Sequence, residues 1–117
     1  MTINLNHTAF KHAKDLIESR EVVHDTRDDW SEHAPSAEEE NAFLEQHGWE
    51  EYSKWFLGIN DEMDEDTKGH YEFPYGDFRK VHRCAVISGE SRAGQYDHDT
   101  IRDALKTLLR RADESTA

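Results

Sequence analysis

The sequence predicts a mainly α fold of four to five helices in one small domain, with room for a short two-stranded hairpin near residues 71–81. Apolar residues recur at helical spacing in separate stretches, and capping residues or glycines stand at the ends of those stretches. The chain has 117 residues, which is enough for one core. Its three Trp and four Tyr predict that this core is small and rich in aromatic rings.

The domain organisation follows from the same patterns. Residues 1–117 are expected to form a single domain with an ordered core over about 8–112. An acidic loop is expected at 59–69, because the run has no hydrophobic period, and a disordered C-terminal tail at 113–117.

The first predicted helix is capped by Thr8 and runs to about Arg20. Its apolar stripe consists of Phe10, Ala13, Leu16 and Ile17. Residues 21–35 are expected to form a connector, in which 22–23 make a short extended contact and Trp30 reaches the core. Three aspartates are expected to keep the connector solvated: Asp25, Asp28 and Asp29.

The second helical region carries the strongest core signal of the chain. Ser36, with a glutamate three residues later, has the pattern of a capping box and predicts a helix over 37–46. Gly48 is expected to break or bend that helix. A second helical segment with four aromatic residues is then expected over 49–57, ending at Gly58 as its C′ residue.

A strand is expected next, where aromatic residues alternate over 71–75 before a Pro-Tyr-Gly-Asp turn. Residues 78–82 are expected to be either its return strand or the lead into a helix. The helix that follows has Val81, Cys84, Ala85 and Gly89 at helical spacing and stops near Gly94.

The last helix is predicted to be amphipathic and to be capped by Asp97 or Asp99. Its apolar face consists of Ile101, Leu105, Leu108, Leu109 and Ala112. Arg110 and Arg111 suit the negative end of the helix dipole.

Charge is distributed unevenly along the chain. Residues 1–69 hold 18 acidic and 6 basic side chains, whereas residues 70–117 hold 8 of each, so the first part carries the whole net charge of −12. This charge disfavours non-specific binding to nucleic acid or to anionic membranes.

The stretch 70–96 interleaves cations with aromatic rings. Such a surface can stack on bases or hold an acidic partner. The residues expected to bind a partner are Tyr71, Tyr75, Arg79, Lys80, Arg83, Arg92 and Tyr96. The competing interpretation is that these cations pair with acidic segments of the same chain while the aromatic rings complete the core.

No catalytic residue, cofactor or metal site is predicted. The eight histidines form no zinc-binding motif, and four candidate ligands could converge only through the fold: His70, His82, Cys84 and His98. His82 and Cys84, two residues apart on a helix, would point to different faces, so Cys84 is interpreted as a core residue. The carboxylates of 61–66 lack the spacing of a calcium-binding loop.

The predicted location is the cytoplasm of a cell, as a soluble protein. No apolar run approaches the length of a membrane span, and the N-terminus lacks the pattern of a signal peptide. The single cysteine excludes an intrachain disulfide.

Three segments carry a resemblance: WEEYSKWFLG at 49–58, HYEFPYGDFRKVHR at 70–83 and SRAGQYDHDTIRDALKTLL at 91–109. Together they are similar to a pattern in small bacterial proteins of uncharacterised function, and they look like a module in some phage prohead-protease-like proteins. The resemblance implies an accessory or interaction module. It carries over no protease residues, and residues 1–35 fall outside it.

The resulting functional hypothesis is a non-enzymatic interaction or accessory module that docks a protein partner through the surface of 70–96. One alternative is a nucleic-acid-associated protein that uses the same surface, and another is an acidic mimic of nucleic acid that binds a basic protein through 15–66. A small enzyme using Cys84 or a histidine cluster is the least favoured alternative. The sequence leaves the identity of the partner and the oligomeric state open.

Overall fold

A computed structural model of the chain describes residues 3–25, 30 and 34–114. Within these ranges there are four α-helices and five strands. In chain order the elements are β1 (Ile3–Leu5), α1 (His7–Glu18), β2 (Val22–Val23), α2 (Ala37–Ser53), β3 (Phe56–Asn60), β4 (Tyr71–Pro74), β5 (Val81–His82), α3 (Arg83–Gln95) and α4 (Asp99–Glu114). A 3-10 turn at Lys68–His70 precedes β4.

The fold is a mixed α/β fold, so the prediction of a mainly α domain was wrong. Strands β1, β3 and β4 form an antiparallel sheet with β3 in the centre, and β2 pairs with β5 in parallel. The expected hairpin near residues 71–81 is replaced by pairing of β4 with β3. Gly76, which follows β4, forms an isolated antiparallel bridge with Val81, the first residue of β5.

The error arose in the stretch 49–57, which is helical only to Ser53 and becomes the central strand at Phe56. Gly58 does not end a helix but lies inside β3. A Cβ atom at this position would stand 2.8 Å from both Ile3 Cγ2 and Phe73 Cδ2, so the neighbouring strands pack closely over the glycine. A short apolar run buried in this way cannot be distinguished from a helical segment by its periodicity.

Local signals within the first two helices had mixed outcomes. The capping box at Ser36 is present, with both reciprocal hydrogen bonds, and Gly48 breaks α2 at φ 81° and ψ 175°. These two predictions are confirmed. Thr8 is not the cap of α1, because the side chain of Asn6 accepts the hydrogen bond from the Ala9 amide at 3.2 Å.

Helix α3 begins later than predicted, whereas α4 begins at one of its two expected capping positions. Residues 81–82 pair with β2, so α3 starts at Arg83, and α4 starts at Asp99. The predicted apolar face of α4 is buried apart from Leu109, which is partly buried. Residues 113–114, expected in a tail, belong to α4, and 115–117 lie outside the described residues.

The acidic loop is shorter than expected, because its first two residues belong to β3 and its last two to the 3-10 turn. Among the described residues, no helix combines the length and apolarity that crossing a bilayer requires.

The core is rich in aromatic residues, as predicted, and Tyr75 lies at its centre. The Tyr75 ring stacks on Trp55 with centroids 5.5 Å apart. Its hydroxyl donates to the Lys54 carbonyl at 2.6 Å and accepts from His12 Nδ1 at 2.8 Å. A buried tyrosine whose hydroxyl is satisfied in this way fixes the position of the chain on both sides of it.

Leu105→Ala is expected to destabilise the protein by about 3–4 kcal/mol, because Leu105 is fully buried and packs against Gly89 of α3. The matched control is Leu109→Ala on the same helix, where the side chain is only partly buried and the cost should be about half. Urea denaturation measures both, and equal losses would contradict the assignment of the α4 core face.

Candidate functional site

The seven residues predicted to bind a partner do not all lie at the surface. Tyr75 is buried in the core. Tyr71 is half-buried, with its ring stacked on Trp49 at 5.6 Å and its hydroxyl donating to the Glu65 carbonyl at 2.8 Å. These two tyrosines therefore contribute to packing inside the chain.

The predicted cations divide into two groups. Arg83 Nε donates to Asp113 Oδ1 at 2.7 Å, and Arg92 Nη2 lies 3.9 Å from Glu72 Oε1. Arg79 and Lys80 are exposed in the turn between β4 and β5. Two of the four cations thus face acidic residues of the same chain, as the competing interpretation expected.

Arg92 and Tyr96 line the same cleft, which has a volume of about 330 Å³. The adjoining cleft, of about 450 Å³, shares three of its lining residues. Together the two clefts are called the Tyr96 groove, lined by Ile3, Asn4, Glu72, Phe73, Arg92, Tyr96, Asp97, His98, Asp99, Thr100 and Ile101. The groove is formed by the edge strands β1 and β4, the end of α3 and the start of α4.

Charge in the Tyr96 groove is mainly negative, because three carboxylates and one guanidinium line it. Glu72 Oε2 is buried and has no hydrogen-bond partner among the described residues. Tyr96 is 59% exposed, which is unusual for a large aromatic side chain. The groove thus combines an unused hydrogen-bond acceptor with an open aromatic ring.

Two residues of the Tyr96 groove have a left-handed backbone although they are not glycine. Phe73 has φ 61° and Asp97 has φ 60°. The Phe73 ring contacts the imidazole of His98 edge-on at 5.8 Å and the guanidinium of Arg92 at 5.6 Å. Such conformations cost free energy and are concentrated at functional sites.

A second polar cluster is buried where α3 begins, and His82 is at its centre. Asp25 Oδ2 accepts from His82 Nδ1 at 2.7 Å, and Asp77 Oδ2 accepts from His82 Nε2 at 2.9 Å. The side chains of His82 and Asp25 are 5% and 7% exposed. Because both ring nitrogens face carboxylate oxygens, this arrangement favours the imidazolium cation, in which both nitrogens donate.

The pKa values of the three groups shift in the directions that this pairing requires. Burial lowers the pKa of His82, but the hydrogen bonds and charges of Asp77 and Asp25 outweigh burial and raise it above 6.5. Burial raises the pKa of each aspartate, but hydrogen bonds outweigh it and lower both pKa values below 3.8. The amide of Cys84 contributes to this effect at Asp25, and the amide of Lys80 at Asp77.

Cys84 joins this cluster through Asp25. Its backbone amide donates to Asp25 Oδ1 at 2.8 Å, and its side chain also hydrogen-bonds to Asp25. A carboxylate in this position satisfies an amide of the first turn of α3 and complements the helix dipole. Since both nitrogens of His82 face carboxylates, the imidazole is not placed to take a proton from the Cys84 thiol.

Sequence reasoning missed this cluster. Asp25 was expected to be solvated, but its side chain is buried. His82 and Cys84 were expected on different faces of one helix, but His82 is the residue before α3, and both contact Asp25. No local signal could have identified the pairing, because Asp25 lies 57 residues from His82 in the sequence.

The other two candidate metal ligands lie elsewhere. His98 lines the Tyr96 groove, and His70 Nδ1 lies 2.8 Å from the Met63 carbonyl.

No protein-family model, curated protein or solved structure matches this chain. The resemblance to small bacterial proteins and to a phage prohead-protease-like module therefore stays a prediction.

His82→Gln is expected to lower the free energy of unfolding by roughly 3 kcal/mol near pH 5.5, because it leaves the buried carboxylate of Asp25 and the partly exposed carboxylate of Asp77 without a cation. The pKa of His82 is raised on folding, so its stabilising effect is complete below pH 6.5 and is lost as the pH rises through the folded value. The two aspartates have lowered pKa values, so their effect is present above pH 3.8 and is lost as the pH falls through the folded values.

The difference in Tm between wild type and His82→Gln should thus be largest between about pH 4 and pH 6.5 and shrink above that range. Thermal unfolding with a chelator present measures it. His24→Gln, at an exposed histidine beside Asp25, is the control and should show no such pH dependence. A Tm difference that grows above pH 7 would contradict the arrangement.

Cys84 is fully buried, so its thiol should react with a chromogenic disulfide reagent at least about 100-fold more slowly in the native protein than after denaturation. Ser91→Cys places a second thiol at an exposed position of α3 and should add one fast reaction. Fast labelling of Cys84 in the native wild type would instead favour a reactive thiol.

Proposed function

We propose that this chain is a non-enzymatic interaction module whose Tyr96 groove binds a basic segment of a partner protein. The observation that carries the proposal is the buried Glu72 Oε2, which lacks a hydrogen-bond partner among the described residues and borders a groove with an exposed tyrosine ring. A lysine or arginine of the partner would donate to this oxygen.

Leaving such an oxygen without a donor is costly, which favours an external donor. An unsatisfied buried acceptor costs about 1–3 kcal/mol, and more when it is charged. Arg92 does not satisfy it, because its Nη2 atom lies 3.9 Å from the other carboxylate oxygen, beyond hydrogen-bond distance. An ammonium or guanidinium group entering the groove would form a charge-assisted hydrogen bond.

Tyr96 supplies the second element of recognition. Cations are attracted to the face of a tyrosine ring, and tyrosines are enriched among residues that dominate binding energy at interfaces. Among the described residues, the other large hydrophobic side chain that is exposed is Met63, which is not among the residues that line the groove. An exposed aromatic ring beside a carboxylate is suited to a basic side chain.

Charge supports a basic partner over an acidic one. The chain carries a net charge of −12, and Asp97 and Asp99 lie along the groove. Such a field accelerates the approach of a positively charged partner. Two of the four predicted cations face carboxylates of the same chain, which weakens the alternative of nucleic-acid binding through 70–96.

Cytoplasmic location is part of the proposal, and a protein with one cysteine and no disulfide is compatible with a reducing compartment.

The probe for this proposal is a fluorescent lysine-rich peptide, with the same peptide carrying acetylated lysines as its control. Glu72→Gln is expected to weaken binding about 10–100-fold, because it removes a charge-assisted hydrogen bond. Tyr96→Ala is expected to weaken binding about 10-fold. Fluorescence anisotropy measures the Kd, and thermal unfolding confirms that each variant is folded.

The matched control is Glu62→Gln, which removes the same charge from an exposed position outside the groove. Glu62→Gln should change the affinity less than about 2-fold, since it alters only the screened, long-range electrostatic potential at the groove. Equal losses from Glu62→Gln and Glu72→Gln would overturn the proposal, as would equal binding of the acetylated peptide. Binding of a single-stranded DNA oligonucleotide that weakens steeply with salt would favour the nucleic-acid alternative instead.

A further inference from the structure

We propose that Asp25, His82 and Cys84 form a binding site for a divalent transition metal ion of the zinc class. A carboxylate oxygen of Asp25, a ring nitrogen of His82 and the sulfur of Cys84 all lie within 4.8 Å of one another. Ligands around a tetrahedral zinc ion stand about 2.0–2.3 Å from the metal. Small rotations of these three side chains would therefore bring their donor atoms into one coordination sphere.

The donor set selects the metal. Thiolate and imidazole are the ligands of Zn²⁺ and of related transition metals, whereas Mg²⁺ and Ca²⁺ take oxygen ligands. Three protein ligands leave a fourth tetrahedral position for water.

The surrounding hydrogen bonds have the arrangement that supports a metal site. Asp25 Oδ1 accepts from the Cys84 amide at 2.8 Å, which holds Asp25 Oδ2 toward His82 Nδ1, 2.7 Å away. His82 Nε2 donates to Asp77 Oδ2 at 2.9 Å. A carboxylate that accepts from the second nitrogen of a ligating histidine fixes its tautomer and ring orientation, and here Asp77 has that position.

Asp77 is itself held in place. Its Oδ1 accepts from the amides of Arg79 and Lys80 at 3.0 and 2.9 Å. The indole of Trp30 lies against the His82 ring, with centroids 5.6 Å apart, and Cys84 is fully buried. The His82 ring is thus hydrogen-bonded to a carboxylate at each of its nitrogens and contacts the Trp30 indole.

The net charge of the cluster does not change when the metal ion binds. The ion replaces the proton on His82 Nδ1 and the thiol proton of Cys84, so one M²⁺ enters and two H⁺ leave. The thiolate and the Asp25 carboxylate then neutralise the ion, and the N-terminus of α3 stabilises both anions. The cluster shares no residue with the Tyr96 groove, so the two proposals can fail independently.

The test uses the full chain, freed of metal with a chelator, and Co²⁺ as a spectroscopic probe for the zinc class. We expect one equivalent of Co²⁺ to bind, with a thiolate-to-cobalt charge-transfer band and visible bands of four-coordinate cobalt, and one equivalent of Zn²⁺ to displace it. Cys84→Ser should abolish the charge-transfer band. Asp77→Asn should weaken Zn²⁺ binding about 10–100-fold while the band persists.

His24→Gln is the matched control, because it removes an exposed histidine next to Asp25 and should leave the spectrum and the affinity unchanged. If a variant does not fold, the Co²⁺ spectrum of the wild-type protein is sufficient to test the proposal. No binding of Co²⁺, or binding without a sulfur band, overturns the proposal. It is equally overturned if His24→Gln weakens Zn²⁺ binding as much as Asp77→Asn, since the eight histidines would then be acting as scattered surface ligands.

Discussion

The carboxylate of Asp25 is the contact on which the connection between the two halves of this chain depends. One of its oxygens accepts from the ring of His82 and the other from the amide of Cys84, residues that follow it by 57 and 59 positions. It thereby fixes the end of β2 against β5 and satisfies the first turn of α3. Burying this charge is favourable only because a cation and an amide lie within hydrogen-bond distance. Removing either partner would leave the buried carboxylate incompletely compensated and would destabilise the fold.

Helix α3 links that cluster to the groove proposed to bind a partner. The cluster lies at its N-terminus, while Arg92 and Tyr96 lie at its C-terminal end, and 13 helical residues span about 20 Å. Gly89, midway, lets Leu105 of α4 approach closely, so the helix is held firmly in its middle. A ligand in the cluster and a partner in the groove would thus act on opposite ends of one packed element.

Much of the local structure was predictable, because it depends on contacts between near neighbours in sequence. The capping box at Ser36, the break at Gly48 and the apolar face of α4 each involve residues within a few positions of one another. The candidate site was predictable only in part. Arg92 and Tyr96 do line the groove, but Tyr75 is a core residue. Glu72 could not be identified from the sequence, because whether a carboxylate oxygen is buried without a hydrogen-bond donor depends on residues that only the fold brings near it.

The sequence by itself determined where α2 begins and breaks, which face of α4 is apolar, and the excess of negative charge. Only the tertiary structure decided that the apolar run at 56–60 is a strand, because its two neighbours, β1 and β4, come from distant parts of the chain. The same holds for the Asp25–His82 pair. The free energy of such contacts depends on the partners that the fold brings together. The spacing of residues within either segment does not predict which partner it will meet.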